Sequence, residues 1–115
     1  MESKETVKII AEALLEKKAH DLKVIDISNI TTLGDYFVIC DGSNPNQLDA
    51  MCDEVEERLH KAGVPIKHRE GHANTGWILL DYYAIIVHVF SEEARAFYGL
   101  ENIWRDGTFV DPEKL

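Results

Sequence analysis

Residues 77–104, WILLDYYAIIVHVFSEEARAFYGLENIW, give the strongest indication of the fold, because they have the pattern of two apolar strands that lead into a charged helix. Successive side chains of a strand point to opposite faces, so Trp77, Leu79 and Asp81 share one face of the first strand. Ile78 and Leu80 share the other. The second strand divides in the same way, with Ala84, Ile86, His88 and Phe90 on one side and Ile85, Val87 and Val89 on the other. Both faces are mostly apolar and need to be covered. A chain of 115 residues has few helices for this, so another molecule could cover part of the Trp77 and Leu79 surface.

The composition predicts a single globular domain over residues 1–115. The chain has a mass of 13.1 kDa and 45% hydrophobic residues, enough for a core without disulfides or metals. It has neither an 18-residue apolar run nor a basic leader before an apolar segment, so we expect a cytoplasmic protein without a membrane span. Cys40 and Cys52 lie in apolar surroundings without CxxC spacing, which favours two buried free thiols.

The charge balance bears on the choice of partner. Twenty-one acids against 12 bases give a net charge of −9, and the Lys and Arg residues are scattered along the chain. This charge has the wrong sign for tracking a phosphate backbone, so direct nucleic-acid binding is disfavoured. Two interpretations stay open at this point: the acidity only keeps the protein soluble, or it attracts a basic protein.

The remaining pattern alternates helices and strands. Ser3 is expected to cap a helix that extends to about Lys18, and Val24–Ile27 and Tyr36–Cys40 are expected to be strands. Asn44 and Pro45 begin the clearest helix, which ends at Gly63; an extended segment covers residues 66–70, and Ser91 caps the helix after the last long strand. We therefore predict an α/β fold with a mixed sheet of four or five strands and flanking helices. The tail after Trp104 has no strong pattern.

One alternative function is a small nucleotidyltransferase. Gly42-Ser43 follows a strand and precedes a helix, and free amides at a helix start can hold a phosphate. Nucleotidyl transfer also needs carboxylates to hold magnesium, and only Asp81 follows in the middle of the sheet. The sequence therefore favours a simple strand-to-helix turn at Gly42-Ser43.

Two histidine arrangements could carry chemistry. His68, Glu70 and His72 alternate along an extended segment and could approach a zinc ion, but no fourth ligand is near in sequence, so a surface cluster is favoured. His88 lies in an apolar strand without a neighbouring Ser or Cys nucleophile, which favours a core or interface histidine over a general base. We expect no metal and no cofactor.

Together these segments resemble the Iojap-like ribosomal silencing factors, over roughly residues 19–104. The similarity is carried by VIDISNITTLGDYFVICDGSNPNQLDAMCDEV (24–55), the Glu70-Gly71 turn and the stretch that begins at Trp77. Its most specific parts are Asp81, the VHVF of residues 87–90, and a set of residues in and after the last helix. That set is Glu93, Arg95, Tyr98, Leu100, Glu101 and Trp104.

The resemblance implies a nucleotidyltransferase-like fold without transferase activity. It also implies a partner, the basic large-subunit ribosomal protein L-fourteen. A family member bound to this protein keeps the ribosomal subunits apart and represses translation when nutrients are short. Trp77 and Leu79 would form the apolar centre of the contact, since large aromatic residues often dominate such interfaces. The full set of expected contact residues is Glu70, Trp77, Leu79, Asp81, His88, Glu93, Arg95 and Tyr98. The oligomeric state is left open, and a homodimer is one alternative.

The chain departs from the family pattern between the two apolar strands. Tyr83-Ala84 stands where the family usually has Gly-Asp, so the turn loses a residue that tolerates positive φ and an acidic side chain. We expect the flanking docking residues to be retained, with altered affinity.

Overall fold

A computed structural model describes residues 2–115 and shows an α/β fold built on one sheet. The helices are α1 (Ser3–Glu16), α2 (Pro45–Lys61), α3 (Glu92–Tyr98) and α4 (Leu100–Ile103). The strands are β1 (His20–Asp26), β2 (Tyr36–Gly42), β3 (His68–His72), β4 (Trp77–Asp81), β5 (Ile85–Ser91) and β6 (Thr108–Val110). Short 3₁₀ turns occur at Ala73–Thr75 and Pro112–Lys114. The predicted fold class is confirmed.

The sheet has the strand order β3-β4-β5-β2-β1-β6. The central pair β2 and β5 is parallel, and every other neighbouring pair is antiparallel, so the sheet is mixed as predicted. It has six strands instead of four or five, because the tail adds β6 beside Val24–Asp26. Three residues are too few to show a strand period, and the pairing depends on β1, which is distant in sequence.

The two faces of the sheet are covered unequally. The helices α1 and α2 pack on one face, which contains Ile78, Leu80 and the alternate residues 85, 87 and 89 of β5. The other face has a smaller core around Phe37 and Phe90, and Trp77 packs at its margin. Trp77, Leu79 and Asp81 are only half-buried, whereas Ile78 and Leu80 are fully buried. The predicted division of β4 is therefore confirmed, and its Trp77 side stays partly open.

Two of the three predicted N-terminal helix caps are confirmed. Asn44 accepts a hydrogen bond from the Gln47 amide at 2.9 Å, and Ser91 accepts one from the Ala94 amide at 3.1 Å. The prediction for Ser3 is wrong, because Glu2 occupies the cap position and α1 ends at Glu16 instead of Lys18.

The predicted strand bounds also shift. Val24–Asp26 forms the second half of the longer β1, which ends one residue before the predicted Ile27. The extended segment predicted at residues 66–70 begins two residues later, at His68. Tyr36–Cys40 begins β2 at the expected residue, and the strand continues to Gly42. Strand ends depend on pairing with neighbours, which a local pattern does not contain.

The turn at Tyr83 leads to a first prediction. Tyr83 has φ of 68°, a conformation that suits glycine, and its amide donates to Asp81 Oδ1 at 2.8 Å. Tyr83→Gly is expected to raise the free energy of unfolding by about 0.5–1 kcal/mol, because it removes the Cβ that disfavours this conformation. Denaturant unfolding measures the change. Tyr83→Ala is the matched control, since it removes the ring and keeps the Cβ; equal stability of the two variants would contradict the explanation.

Candidate docking surface

The open part of the sheet forms a compact apolar patch around Trp77. The Trp77 and Tyr98 ring centroids lie 4.6 Å apart, and Phe90 lies beneath at 5.1 Å from Trp77. Leu79 lies two residues along β4 on the same side, and it pairs across the sheet with Glu70 of β3. We call this patch the Trp77 face and define it as Glu70, Trp77, Leu79, Asp81 and Tyr98. A cleft of about 280 Å³ opens here.

Two carboxylates lie at the border of the Trp77 face, around its apolar centre. Glu70 is exposed and its Oε1 lies 2.7 Å from His68 Nε2. The Asp81 side chain is 16% exposed, and its Oδ1 accepts a hydrogen bond from the Tyr83 amide. A polar rim around an apolar centre is the usual anatomy of a protein interface, and here the rim includes two acids.

Glu93 lies apart from the Trp77 face. It is exposed in the first turn of α3 and lines a different cleft, together with Gly42, Ser43 and Glu92. The two clefts share Thr75 at their border. Glu93 is therefore an exposed charge outside the Trp77 face.

His88 lies beneath the Trp77 face and is only 5% exposed. The Trp77 Nε1–H donates a hydrogen bond to His88 Nδ1 at 3.2 Å, and the Phe37 ring contacts the imidazole edge-on at 5.2 Å between centroids. Burial lowers the pKa of His88 from 6.5 to about 4, because removal from water disfavours the imidazolium ion. His88 is therefore neutral near pH 7.

The buried neutral His88 leads to a prediction on acid stability. The unfolded chain binds a proton at this residue near pH 6.5 and the folded chain only near pH 4, so stability falls as pH is lowered through that interval. The expected loss from this residue is about 3 kcal/mol in the free energy of unfolding. Urea unfolding between pH 7 and pH 4 measures it, with His88→Leu as the control that lacks the group. Identical pH dependence in both proteins would contradict the prediction.

Arg95 lies inside the protein, away from the Trp77 face, and is 6% exposed. Its Nη1 lies 3.1 Å from Asp41 Oδ2, its Nε lies 3.0 Å from Glu101 Oε1, and Nη1 also donates to the backbone carbonyls of His20 and Asp21. These bonds tie α3 to β1, β2 and α4. The arrangement gives Arg95 an internal anchoring role and does not bring it to the surface expected from the sequence.

Sequence reasoning missed Asp41, which is 3% exposed and holds Arg95. The available signal was an acid inside the apolar run of β2, since a buried carboxylate needs a charged or hydrogen-bonding partner. Phe97 is 82% exposed and contacts the Tyr98 ring edge-on at 5.1 Å. An exposed phenylalanine here extends the apolar patch beyond Tyr98.

The structure does not bring the proposed transferase residues together. Gly42 pairs with Ser91 at one end of β5, whereas Asp81 pairs with Ile86 toward the other end, roughly 17 Å away for five residues of strand. The Ser43 amide and hydroxyl both donate to Gln47 Oε1, at 2.7 and 2.9 Å. Both donors of Ser43 are thus occupied by the protein itself.

The histidine cluster and the cysteines have structural explanations. His68, Glu70 and His72 share one side of β3, yet in the part of the chain that the structure describes no three His, Cys, Asp or Glu side chains are grouped to hold a metal ion. Cys40 and Cys52 are free and buried, as predicted. Burial raises the pKa of both thiols, so they stay protonated.

Within residues 2–115, no helix combines the length and apolar character needed to cross a bilayer.

The fold and the Trp77 face define an α/β protein with a surface suited to binding a partner. The profile of the family described as ribosomal silencing factor during starvation (RsfS) matches residues 1–115. The ribosomal silencing factor RsfS of Bacillus subtilis is 34% identical over 111 residues, which cover 96% of this chain and 94% of that protein. The chain therefore belongs to the ribosomal silencing factor family, whose name describes a regulatory role, and the family resemblance seen in the sequence is confirmed.

Two further comparisons support the fold and the wider family. A crystal structure of a Chromobacterium violaceum protein, 34% identical, has a TM-score of 0.87 over 90% of this chain and 87% of that chain. The chloroplastic protein Iojap of Zea mays is 28% identical and matches 89% of this chain, which spans 44% of that protein. The six-stranded fold is thus that of a solved relative with substantial sequence identity.

Proposed function

We propose that this chain represses translation by binding large-subunit ribosomal protein L-fourteen through the Trp77 face and blocking the association of the two ribosomal subunits. The observation that carries the proposal is a half-exposed group of Trp77, Leu79 and Tyr98 beside the carboxylates of Glu70 and Asp81. Large aromatic residues in a small cleft commonly supply most of the binding energy of an interface.

The charge of the chain supports a basic protein partner. A net charge of −9 repels RNA phosphates and attracts the basic L-fourteen that the family resemblance implies. Glu70 and Asp81 would face basic side chains at the border of the contact, while Glu93 would accelerate encounter from outside it. Cytoplasmic action and nutrient limitation as the trigger belong to the same proposal.

Steric occlusion requires no chemistry from the bound protein. The proposal therefore includes the absence of nucleotidyl transfer, and it is supported by the separation of Gly42-Ser43 from Asp81 along β5. Incubation with magnesium and nucleotide is expected to give no turnover. Specific transfer that Asp81→Asn abolishes would favour the transferase alternative instead.

A subunit-joining assay tests the proposal. The purified protein is expected to bind large subunits, and neither small subunits nor bare ribosomal RNA, and to lower the yield of joined ribosomes in sucrose-gradient sedimentation. Glu70→Lys is expected to weaken this effect, because it places a positive charge against a basic partner. Unchanged joining at saturating wild-type protein would contradict the proposal.

Glu12→Lys is the matched control for that charge reversal. It makes the same change in net charge on an exposed position of α1, a helix that packs on the opposite face of the sheet. If both reversals weaken binding equally, overall charge acts without a defined contact at Glu70. A larger effect of Glu70→Lys locates the contact at the Trp77 face.

A further inference from the structure

The hydrogen bond between Trp77 and His88 determines which ring nitrogen of His88 carries the proton. An indole N–H can only donate, so His88 Nδ1 accepts it at 3.2 Å and the proton of the neutral ring lies on Nε2. Nε2 is buried, and among residues 2–115 it has no hydrogen-bond partner. His88 thus satisfies Trp77 and leaves its own donor unpaired.

The stability of the core does not explain a histidine at this position. The imidazole is 5% exposed and lies among aromatic rings, edge-on to Phe37 and nearly parallel to Phe90 at 6.0 Å between centroids. A buried donor without an acceptor is unfavourable, and an apolar side chain of similar volume would avoid that penalty. Among the described residues, the His88 side chain makes its hydrogen bond with Trp77, at the centre of the Trp77 face.

We infer that His88 is a positioning residue that holds the Trp77 indole, through its Nδ1, in the orientation presented to the partner. The inference rests on the proposed function for the identity of that partner. Trp77 lies against Tyr98, a residue that is itself 44% exposed, so ring packing alone leaves the indole beside a partly open neighbour. The hydrogen bond from below restricts its rotation, and a side chain ordered before binding loses less entropy on association.

Two substitutions separate positioning from packing. His88→Leu fills the site but removes the acceptor, whereas His88→Asn retains an oxygen attached at the same Cγ position as Nδ1. The ¹⁵N–¹H indole signal of Trp77, assigned with Trp104→Phe, reports the hydrogen bond directly. Affinity for purified large ribosomal subunits reports docking, and thermal unfolding reports stability.

For His88→Leu we expect a shifted and faster-exchanging Trp77 indole signal and about tenfold weaker binding, with no fall in the unfolding temperature. His88→Asn is expected to restore the indole signal and most of the affinity. The inference is overturned if the leucine variant keeps the wild-type indole signal or the wild-type affinity. It is also overturned if both variants unfold at lower temperature and lose affinity equally, which is the result of a packing role.

The outcomes also distinguish this inference from the proposed function. If wild-type protein fails to bind large subunits, the proposed function fails on that measurement alone. The indole signal of the free protein still decides whether His88 positions Trp77, because it requires no partner.

Discussion

Trp77→Ala is expected to weaken binding to large ribosomal subunits by about 2–4 kcal/mol, the largest effect of any single change on the Trp77 face. The substitution removes the aromatic centre of the cleft and the surface on which Tyr98 stacks. Trp77 is half-buried, so the free energy of unfolding should fall by about 1–2 kcal/mol, less than the roughly 3–5 kcal/mol of a fully buried aromatic residue. Affinity measured alongside thermal unfolding separates the two effects.

Phe109→Ala provides a matched control for Trp77→Ala. Phe109 is a 46% exposed aromatic residue on β6, at the edge of the sheet opposite β3 and four strands from β4. Its loss should leave large-subunit affinity unchanged. A Trp77→Ala protein that melts far below wild type while its folded fraction binds normally would place Trp77 in the core and remove it from the docking surface.

The largest effect on stability is expected at Arg95. Arg95→Ala should lower the free energy of unfolding by about 3–5 kcal/mol, because it removes the guanidinium ion from the 3%-exposed Asp41 and leaves that carboxylate with the hydrogen bond to His20 Nδ1. Glu101 loses its partner in the same change. Chemical denaturation measures the loss, and the exposed Arg105→Ala makes the same substitution as a control that should stay close to wild type.

A double variant distinguishes a buried ion pair from a docking contact at Arg95. Arg95→Leu combined with Asp41→Leu removes both charges, so it should recover part of the stability that Arg95→Leu loses alone. Large-subunit binding should recover with the folded fraction. A stable Arg95→Ala protein with weakened binding would instead return Arg95 to the contact surface, as the family resemblance implied.

Local patterns in the sequence were sufficient for the features that depend on near neighbours. The cap at Asn44, the cap at Ser91 and the alternation of β4 and β5 follow from side chains a few residues apart, and the structure confirms each of them. The predicted cap at Ser3 is wrong, because Glu2 occupies the cap position. The Ser3 hydroxyl instead donates to Asp35, 32 residues away. A contact across that distance leaves no periodic trace in the sequence.

The candidate site likewise combines features that a local pattern predicts with features that depend on tertiary contacts. Residue order and a period of two were enough to predict the family, the α/β class and the placement of Trp77 and Leu79 on one side of a strand. The folded chain was needed to show that His88 lies beneath Trp77, that Glu93 borders another cleft, and that Arg95 is buried against Asp41. Burial and ion pairing depend on which strands become neighbours, and β2 joins β5 across more than 40 residues of chain.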